Sequence, residues 1–452
     1  MRVLLLSTYE LGHQPLHLAS AGAALTAAGH EVRATDLSVE DLAPDDLAWA
    51  QVAAVAVPMH TATRLAAGVA SRLRQKRPDL PLCAFGLYAA AAPGFDAAVA
   101  GEYEDPLVEW VGSLRPGVRV ELGRHRQPQP DRRGLAALDR YARLVHAGVE
   151  TPAGYVEASR GCSHRCRHCP VPVVYDGRIR TVPVSTVVAD VDAQVEQGAA
   201  HITFGDPDFL NGPHHSMRVL DAVHSRHPAL TFDVTVKVEH VLRHRGLIGP
   251  MAAAGVLFAV SAFESVDDDL LGRLDKGHTA ADAAGATALL RTQGIEVRPS
   301  WLPFTPWTTV ADIVALLDFV VAQDLVANVD PVQYTIRLLL PPGSLLLADP
   351  DLGPHLGPFD PESLGYPWRS PHPEVDELQA RLAGLVERHA GANPTEMFPG
   401  VRETVATAAR SVGVAEPVPA PPDSGRRPPR LSEPWFCCAE PTGRQIHGGV
   451  LS

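Results

Sequence analysis

The sequence is short of several things, and each shortage excludes something. Only six of 452 residues are cysteine. They cluster in a chain with no secretion signal, which does not suit a disulfide framework. No apolar run approaches the roughly 20 residues of a membrane span. The opening stretch MRVLLLSTYE has an arginine and a short apolar run but no small-residue cleavage site. It reads as a first strand and not as a signal peptide, so a cytoplasmic location is expected. Positive charge is scarce: 39 Lys and Arg face 52 Asp and Glu, a formal net charge of -13. That argues against a nucleic acid partner. No GxGxxG follows the first apolar run, so a dinucleotide is not expected either.

What is present suits a globular α/β protein, 46% hydrophobic and 20% charged. Residues 1–120 alternate between apolar runs and amphipathic segments. Strands are expected at Val3–Leu6, Glu31–Leu37, Val52–Val57, Leu80–Phe85 and Ala97–Ala100, and helices at Leu16–Ala28, Ala62–Gln75 and Pro106–Leu114. This pattern predicts a doubly wound parallel sheet. Ligands of such sheets sit beyond the carboxyl ends of the strands, here Ser7–Tyr9, Pro58–His60, Gly86–Tyr88 and Gly101–Glu104. Residues 121–150, with their arginines near 124–133, read as a solvated linker.

A second alternating series spans 151–345. Strands are expected at Tyr155–Ala158, His201–Phe204, Thr231–Lys237, Leu257–Ser261, Glu296–Leu302 and Val332–Leu338. Six βα units predict a partial or closed barrel with its chemistry on the loops after the strands. Residues 346–416 read as a loop-rich region with helices near Pro373–Ala390 and Glu403–Ser411. Residues 417–452 hold a proline-rich linker, PVPAPPDSGRRPPR, and the tail LSEPWFCCAEPTG.

Three cysteines carry the strongest signal. Cys162, Cys166 and Cys169 fall in GCSHRCRHCP, with spacing C-x3-C-x2-C after the first strand of the second series. Thiolates select soft metals such as zinc and iron–sulfur clusters. A cubane cluster normally takes four cysteines, so three leave one iron open. The competing reading is a zinc site completed by His164 or His168. Cys83, in PLCAFGLY, reads as a buried inert thiol.

The CxxxCxxC motif in this position resembles that of the radical S-adenosylmethionine (SAM) superfamily. The resemblance implies a [4Fe-4S] cluster on Cys162, Cys166 and Cys169, with SAM chelating the fourth iron. It also implies small-molecule substrates and an electron donor such as a ferredoxin or flavodoxin. An aromatic residue often precedes the last cysteine of the motif; here it is His168, near the adenine. FGDPDF (204–209) follows the second strand, where the family has a turn against the SAM amino group. That implies Gly205 with Asp206 or Asp208 as acceptor; an ordinary Asx turn is the alternative. SAFESVDDDLLGRLDKGHT (261–279) is similar to a stretch of family members with an added cobalamin-type domain. Ser261, Glu264 and Ser265 would then lie by SAM and Arg273 near its carboxylate. KVEH adds Lys237 and Glu239, and QYTIRLLLPPGS adds Arg337, for which a structural ion pair is the alternative.

The first domain resembles the cobalamin-binding domain of that subgroup. The whole is then an N-terminal cobalamin-binding-like Rossmann domain, a partial (β/α)6 radical SAM barrel and a C-terminal extension. The axial-histidine motif DxHxxG is absent: ELGHQP offers His13 without its aspartate. The resemblance leaves open a cobalamin-type fold that has lost its cofactor.

The tail resembles that of radical SAM proteins ending in CUAEP or CCAEP, where selenocysteine can replace the first cysteine. Some relatives in that family are similar to the enzyme of arsinothricin biosynthesis that makes the arsenic–carbon bond, which links the resemblance to natural product biosynthesis. A soft ligand is therefore implied at Cys437 and Cys438, a chelating pair suited to arsenite. The implied activity is transfer of the 3-amino-3-carboxypropyl group of SAM to trivalent arsenic held by these thiols. Its rivals are a cobalamin-dependent radical SAM methyltransferase and a non-enzymatic metalloid sensor or carrier.

Overall fold

The computed structural model describes residues 1–433, apart from residues 126 and 424. Six strands open the chain: β1 (Arg2–Ser7), β2 (Glu31–Asp36), β3 (Val52–Ala56), β4 (Leu82–Phe85), β5 (Ala97–Gly101) and β6 (Gly117–Glu121). They form one parallel sheet in the order β2-β1-β3-β4-β5-β6. Helices α1 (Leu16–Ala27), α2 (Pro44–Trp49), α3 (His60–Lys76) and α4 (Glu104–Ser113) connect them. Continuous apolar runs become central strands because both faces are covered. Leu4, Leu6, Ala53 and Val55 enter one core, and Val3, Leu5, Val52 and Ala54 the other. The order reverses between β1 and β3, the switch point where open α/β sheets bind ligands. The sequence pattern missed β6, an edge strand with exposed Val118 and Val120, and the single-turn α2.

The expected linker is partly built into the fold. It contains β7 (Arg143–His146). Arg132 is buried, with a bidentate pair to Asp190 at 2.6 and 2.8 Å and a hydrogen bond to the Tyr155 carbonyl at 2.7 Å. This corrects the solvated reading of that arginine: a buried guanidinium needs a partner, and Asp190 of the second domain supplies it.

The second domain holds β8 (Val149–Val156), β9 (Ser159–Gly161), β10 (Ile179–Thr181), β11 (His201–Phe204), β12 (Thr231–Thr235), β13 (Val256–Glu264) and β14 (Glu296–Trp301). The helices are α5 (Val171–Tyr175), α6 (Val184–Glu196), α7 (Pro213–Arg226), α8 (Val238–Arg243), α9 (Arg245–Ala253), α10 (Asp268–Arg273), α11 (Ala280–Thr292) and α12 (Val310–Ala322). Strands β8, β11, β12, β13 and β14 are parallel and curve into a half barrel. The expected sixth strand is not formed. Pro331–Thr335 is a 3-10 turn, and only Arg337 bridges to Phe304. Pro331 has no N–H to give to a ladder.

Helices α13 (Pro373–Arg388) and α14 (Pro394–Val412) pack into the same core as the barrel, through Val375, Leu378, Phe398 and Val401. The proline-rich stretch is extended, as expected, but it is tied down. Val418 N–H donates to Asp318 at 2.7 Å, and Arg426 pairs with Glu296 at 2.8 Å. It ends as β15 (Arg430–Leu431), antiparallel to β7, which carries the chain back to the junction of the two domains.

Candidate active site

The cysteine loop hangs from a small hairpin. β9 and β10 pair antiparallel, and the chain between them holds all three cysteines and α5. Gly161 closes β9 at φ +76°, where an added Cβ would meet the Arg178 carbonyl and the Tyr175 ring. Cys162, Cys166 and Cys169 all line one cavity of about 300 Å³ between the two domains, within the usual range for small-molecule sites. Burial raises the Cys162 thiol above its ordinary value, since desolvation disfavours thiolate; a bound cation reverses that preference. Three soft donors on one wall fit a three-ligand iron–sulfur cluster. The zinc alternative is weakened, because His168 is held by a carboxylate and His164 turns to a second histidine outside the cavity wall. His168 Nε2 lies 3.0 Å from Glu264 Oε1, and His164 Nε2 lies 3.1 Å from His240 Nε2.

Beside the cysteines stands a buried charge pair. β13 is irregular in its pairing with β14 between Ala262 and Glu264, and Glu264 ends it at φ +64°. Bulges of this kind re-aim side chains next to active sites. The Glu264 carboxylate receives Lys276 Nζ at 3.2 Å. Burial alone would raise Glu264, but the charges of Lys276 and His168 bring it down to about 2. Burial would lower Lys276, but Glu264 and Cys166 hold it above its ordinary value. Both residues line the cavity, as does His168.

The turn after β11 supplies Gly205 and Asp206 to the cavity wall. Gly205 has no room for a Cβ, which would overlap the Tyr155 ring. Asp206 accepts from Ser159 Oγ at 2.6 Å and Ala158 N–H at 2.9 Å. Its burial outweighs those bonds and raises the carboxyl to about 7. Lys237 also lines the cavity, 3.6 Å from Glu239.

Other expected residues fall elsewhere. Asp208 and Glu239 are not in the cavity wall. Ser261 donates to the Val236 carbonyl at 2.7 Å, and Ser265 Oγ accepts from Asp267 N–H at 3.0 Å, both structural roles. Arg273 pairs with Asp349 and Asp351, each at 3.0 Å, and lies over the Trp307 ring. Arg337 pairs with Asp376 at 2.7 Å over the Trp368 ring, the structural alternative. Cys437 and Cys438 lie outside the described residues.

Sequence reasoning missed Lys276, Arg298 and Arg160. Arg298 lines the cavity and pairs with Asp330 at 2.6 Å, while its Nη1 is buried without a hydrogen-bond partner. That orphaned donor and the Lys276 ammonium suit the carboxylate of an amino acid moiety. Arg160, two residues before the cysteine loop, joins the domains. It pairs with Glu104 and Glu157 at 2.8 Å and lies over the Tyr103 ring.

The first domain's wall comes from its strand ends, among them Met59, Leu87, Tyr88 and Tyr103. His13 faces the cavity beside Tyr155, and burial lowers it to about 4. Its missing carboxylate is replaced one turn on: Glu10 lies 3.1 Å from Nδ1 of His17, another lining residue. A carboxylate behind an imidazole is the usual support of a metal-ligating histidine.

Residues 156–320 match the family model of the Radical SAM superfamily. The match covers most of the second domain, and it implies a [4Fe-4S] cluster and SAM. The chain is similar to the protein MJ0865 of Methanocaldococcus jannaschii, whose name assigns it provisionally to the methylthiotransferases. Identity is 26% over 185 residues, 38% of this chain and 39% of that protein. The match therefore spans well under half of the curated relative. The whole fold is similar to the radical SAM methyltransferase TsrM of Kitasatospora setae, solved with tryptophan and aza-SAM: TM-score 0.66, 17% identity, 90% of this chain and 89% of that one. It is also similar to the cobalamin-dependent SAM radical enzyme OxsB with aqua-cobalamin and SAM: TM-score 0.67, 14% identity, 86% and 67%. At such identities the likeness concerns the fold: a doubly wound domain followed by a half barrel. Among the described residues no helix is long and apolar enough to cross a membrane.

Proposed function

We propose that the protein is a radical SAM transferase that works in the interdomain cavity on an acceptor presented by its own C-terminal tail. One observation carries this reading. The last described residue, Glu433, lines the same cavity as Cys162, Cys166 and Cys169. Cys437 follows Glu433 by four residues in the sequence. A vicinal thiol pair chelates thiophilic centres, and trivalent arsenic is the acceptor whose chemistry fits best. The cluster, when bound, supplies the single electron that splits a sulfonium C–S bond. Asp206, Glu264, Lys276 and Arg298 would hold the amino acid end of SAM, and the apolar strand-end wall would exclude water. Transfer of the 3-amino-3-carboxypropyl group would break the Cγ–S bond of SAM, form a C–As bond and release methylthioadenosine; a second electron from the external reductant and a proton release one arsenic-bound hydroxide as water, so that arsenic stays trivalent.

The second reading is cobalamin-dependent methyl transfer, favoured by the Glu10–His17 pair on the first domain's wall. Product analysis separates the two. Protein with its cluster reconstituted anaerobically is given SAM, reductant and arsenite. Methylthioadenosine with an organoarsenical supports the first reading. S-Adenosylhomocysteine with bound cobalamin supports the second and overturns the first. Replacing Cys437 and Cys438 by serine should abolish the arsenic product and leave the cluster spectrum intact.

A further inference from the structure

Beside the cysteine loop, but outside the cavity wall, side chains from three segments converge. His164 belongs to the loop, Asp208 to the turn after β11 and His240 to α8. Nε2 of His164 lies 3.1 Å from Nε2 of His240. One donor atom from each of the three residues lies within 4.8 Å of the others. Asp208 and His240 are buried. Oδ1 of Asp208 is used locally, accepting from Leu210 N–H at 3.1 Å. Oδ2 is 2.7 Å from Nδ1 of His240. Both atoms are buried, and each is the other's partner.

The spacing of the two imidazoles suits a cation. Two nitrogens bound to a tetrahedral zinc at 2.0–2.1 Å stand about 3.3 Å apart, close to the 3.1 Å between the two Nε2 atoms. Asp208 stands on the Nδ1 side of the His240 ring, the usual support of a metal-ligating histidine.

We propose that His164, Asp208 and His240 form a divalent-metal site of the zinc class, separate from the three cysteines. The two imidazoles are its donors, Asp208 supports the His240 ring from its Nδ1 side, and water completes the coordination. Imidazole-rich sets suit zinc, copper and nickel more than the calcium class. The bound ion would tie the cysteine loop to α8 and to the turn that carries Asp206, fixing the loop from its outer side.

The test uses the full chain with Cys437→Ser and Cys438→Ser in every sample and its iron–sulfur cluster reconstituted, so that neither the tail nor the loop offers a free thiol pair. Protein is dialysed against micromolar zinc, and zinc and iron are counted by mass spectrometry. Wild type should retain one equivalent of zinc above its iron. His164→Asn, at a half-buried loop position, should lose that zinc and keep its iron and its melting temperature without zinc. His240→Asn is the second variant, with the same loss. Cobalt(II) is the parallel probe: it should give ligand-field bands without thiolate charge transfer. No zinc above background in the wild type overturns the proposal. So does equal zinc in His164→Asn, or a thiolate charge-transfer band with cobalt.

Discussion

The Tyr9 hydroxyl donates a hydrogen bond to Glu433 at 2.7 Å, joining residues 424 apart in sequence. It fastens the end of the described chain to the end of the first strand, at the rim of the cavity. A hydrogen bond to a charged group contributes about 1.5–3 kcal/mol when sheltered, and less where water reaches it. Tyr9→Phe should therefore free the tail without unfolding the domains. Trypsin cleavage after Arg430 should quicken several-fold while the melting temperature stays put. Unchanged cleavage would mean that the tail is held by other contacts.

Glu264 combines a strained backbone with a buried charge. At φ +64° a non-glycine residue carries roughly 1 kcal/mol of strain. Glu264→Ala keeps that strain and leaves Lys276 unpaired. Glu264→Gly leaves Lys276 unpaired as well but relieves the strain. Denaturant unfolding should place the glycine variant about 1 kcal/mol above the alanine variant, though below wild type. The reverse order would show that the conformation is not strained.

Arg160 is a buried guanidinium with carboxylates from both domains around it. Breaking a buried pair by removing one partner costs about 3–5 kcal/mol. Arg160→Met should destabilise by that order and expose Glu104. Iron retention after reconstitution should fall with it, because the cysteine loop starts two residues on. A loss below ~1 kcal/mol would mean that water already reaches the pair.

Asp206 gives a pH prediction. Its carboxyl is raised to about 7 by burial, whereas an unfolded aspartate titrates near 3.9. Through that window the folded chain holds the proton and the unfolded chain does not. Native stability therefore declines as pH rises from about 4 through about 7, by at most ~1.4 kcal/mol per unit. Asp206→Asn removes this dependence. Its melting temperature relative to wild type should climb between about pH 5 and about pH 8. A flat difference would show that Asp206 is ionised throughout.

Much of this was legible in the sequence. The apolar runs at 3–6 and 52–57 could only be central strands, because each is apolar on both faces. The CxxxCxxC spacing marked three soft-metal ligands, and the cavity they line is known from the structure. Less legible was whatever depends on close packing. Lys276 lies in a stretch singled out for Glu264 and Arg273, but which cation meets the carboxylate depends on the irregular end of β13. Arg273 is instead drawn off by Asp349, from a loop whose position no local pattern sets. The strands β9 and β10 have three residues each, too short for periodicity to register. Arg132 reads as surface charge until its partner Asp190, 58 residues on, is brought against it.

The central claim is that three cysteines hold a cubane cluster whose fourth iron is left for SAM. Mössbauer spectroscopy of the ⁵⁷Fe-reconstituted protein, with and without SAM, tests it most directly. One iron site in four should change its isomer shift and quadrupole splitting when SAM is added, and Cys166→Ala should abolish the cluster spectrum. Four sites indifferent to SAM, or zinc in place of iron on Cys162, Cys166 and Cys169, would contradict the account.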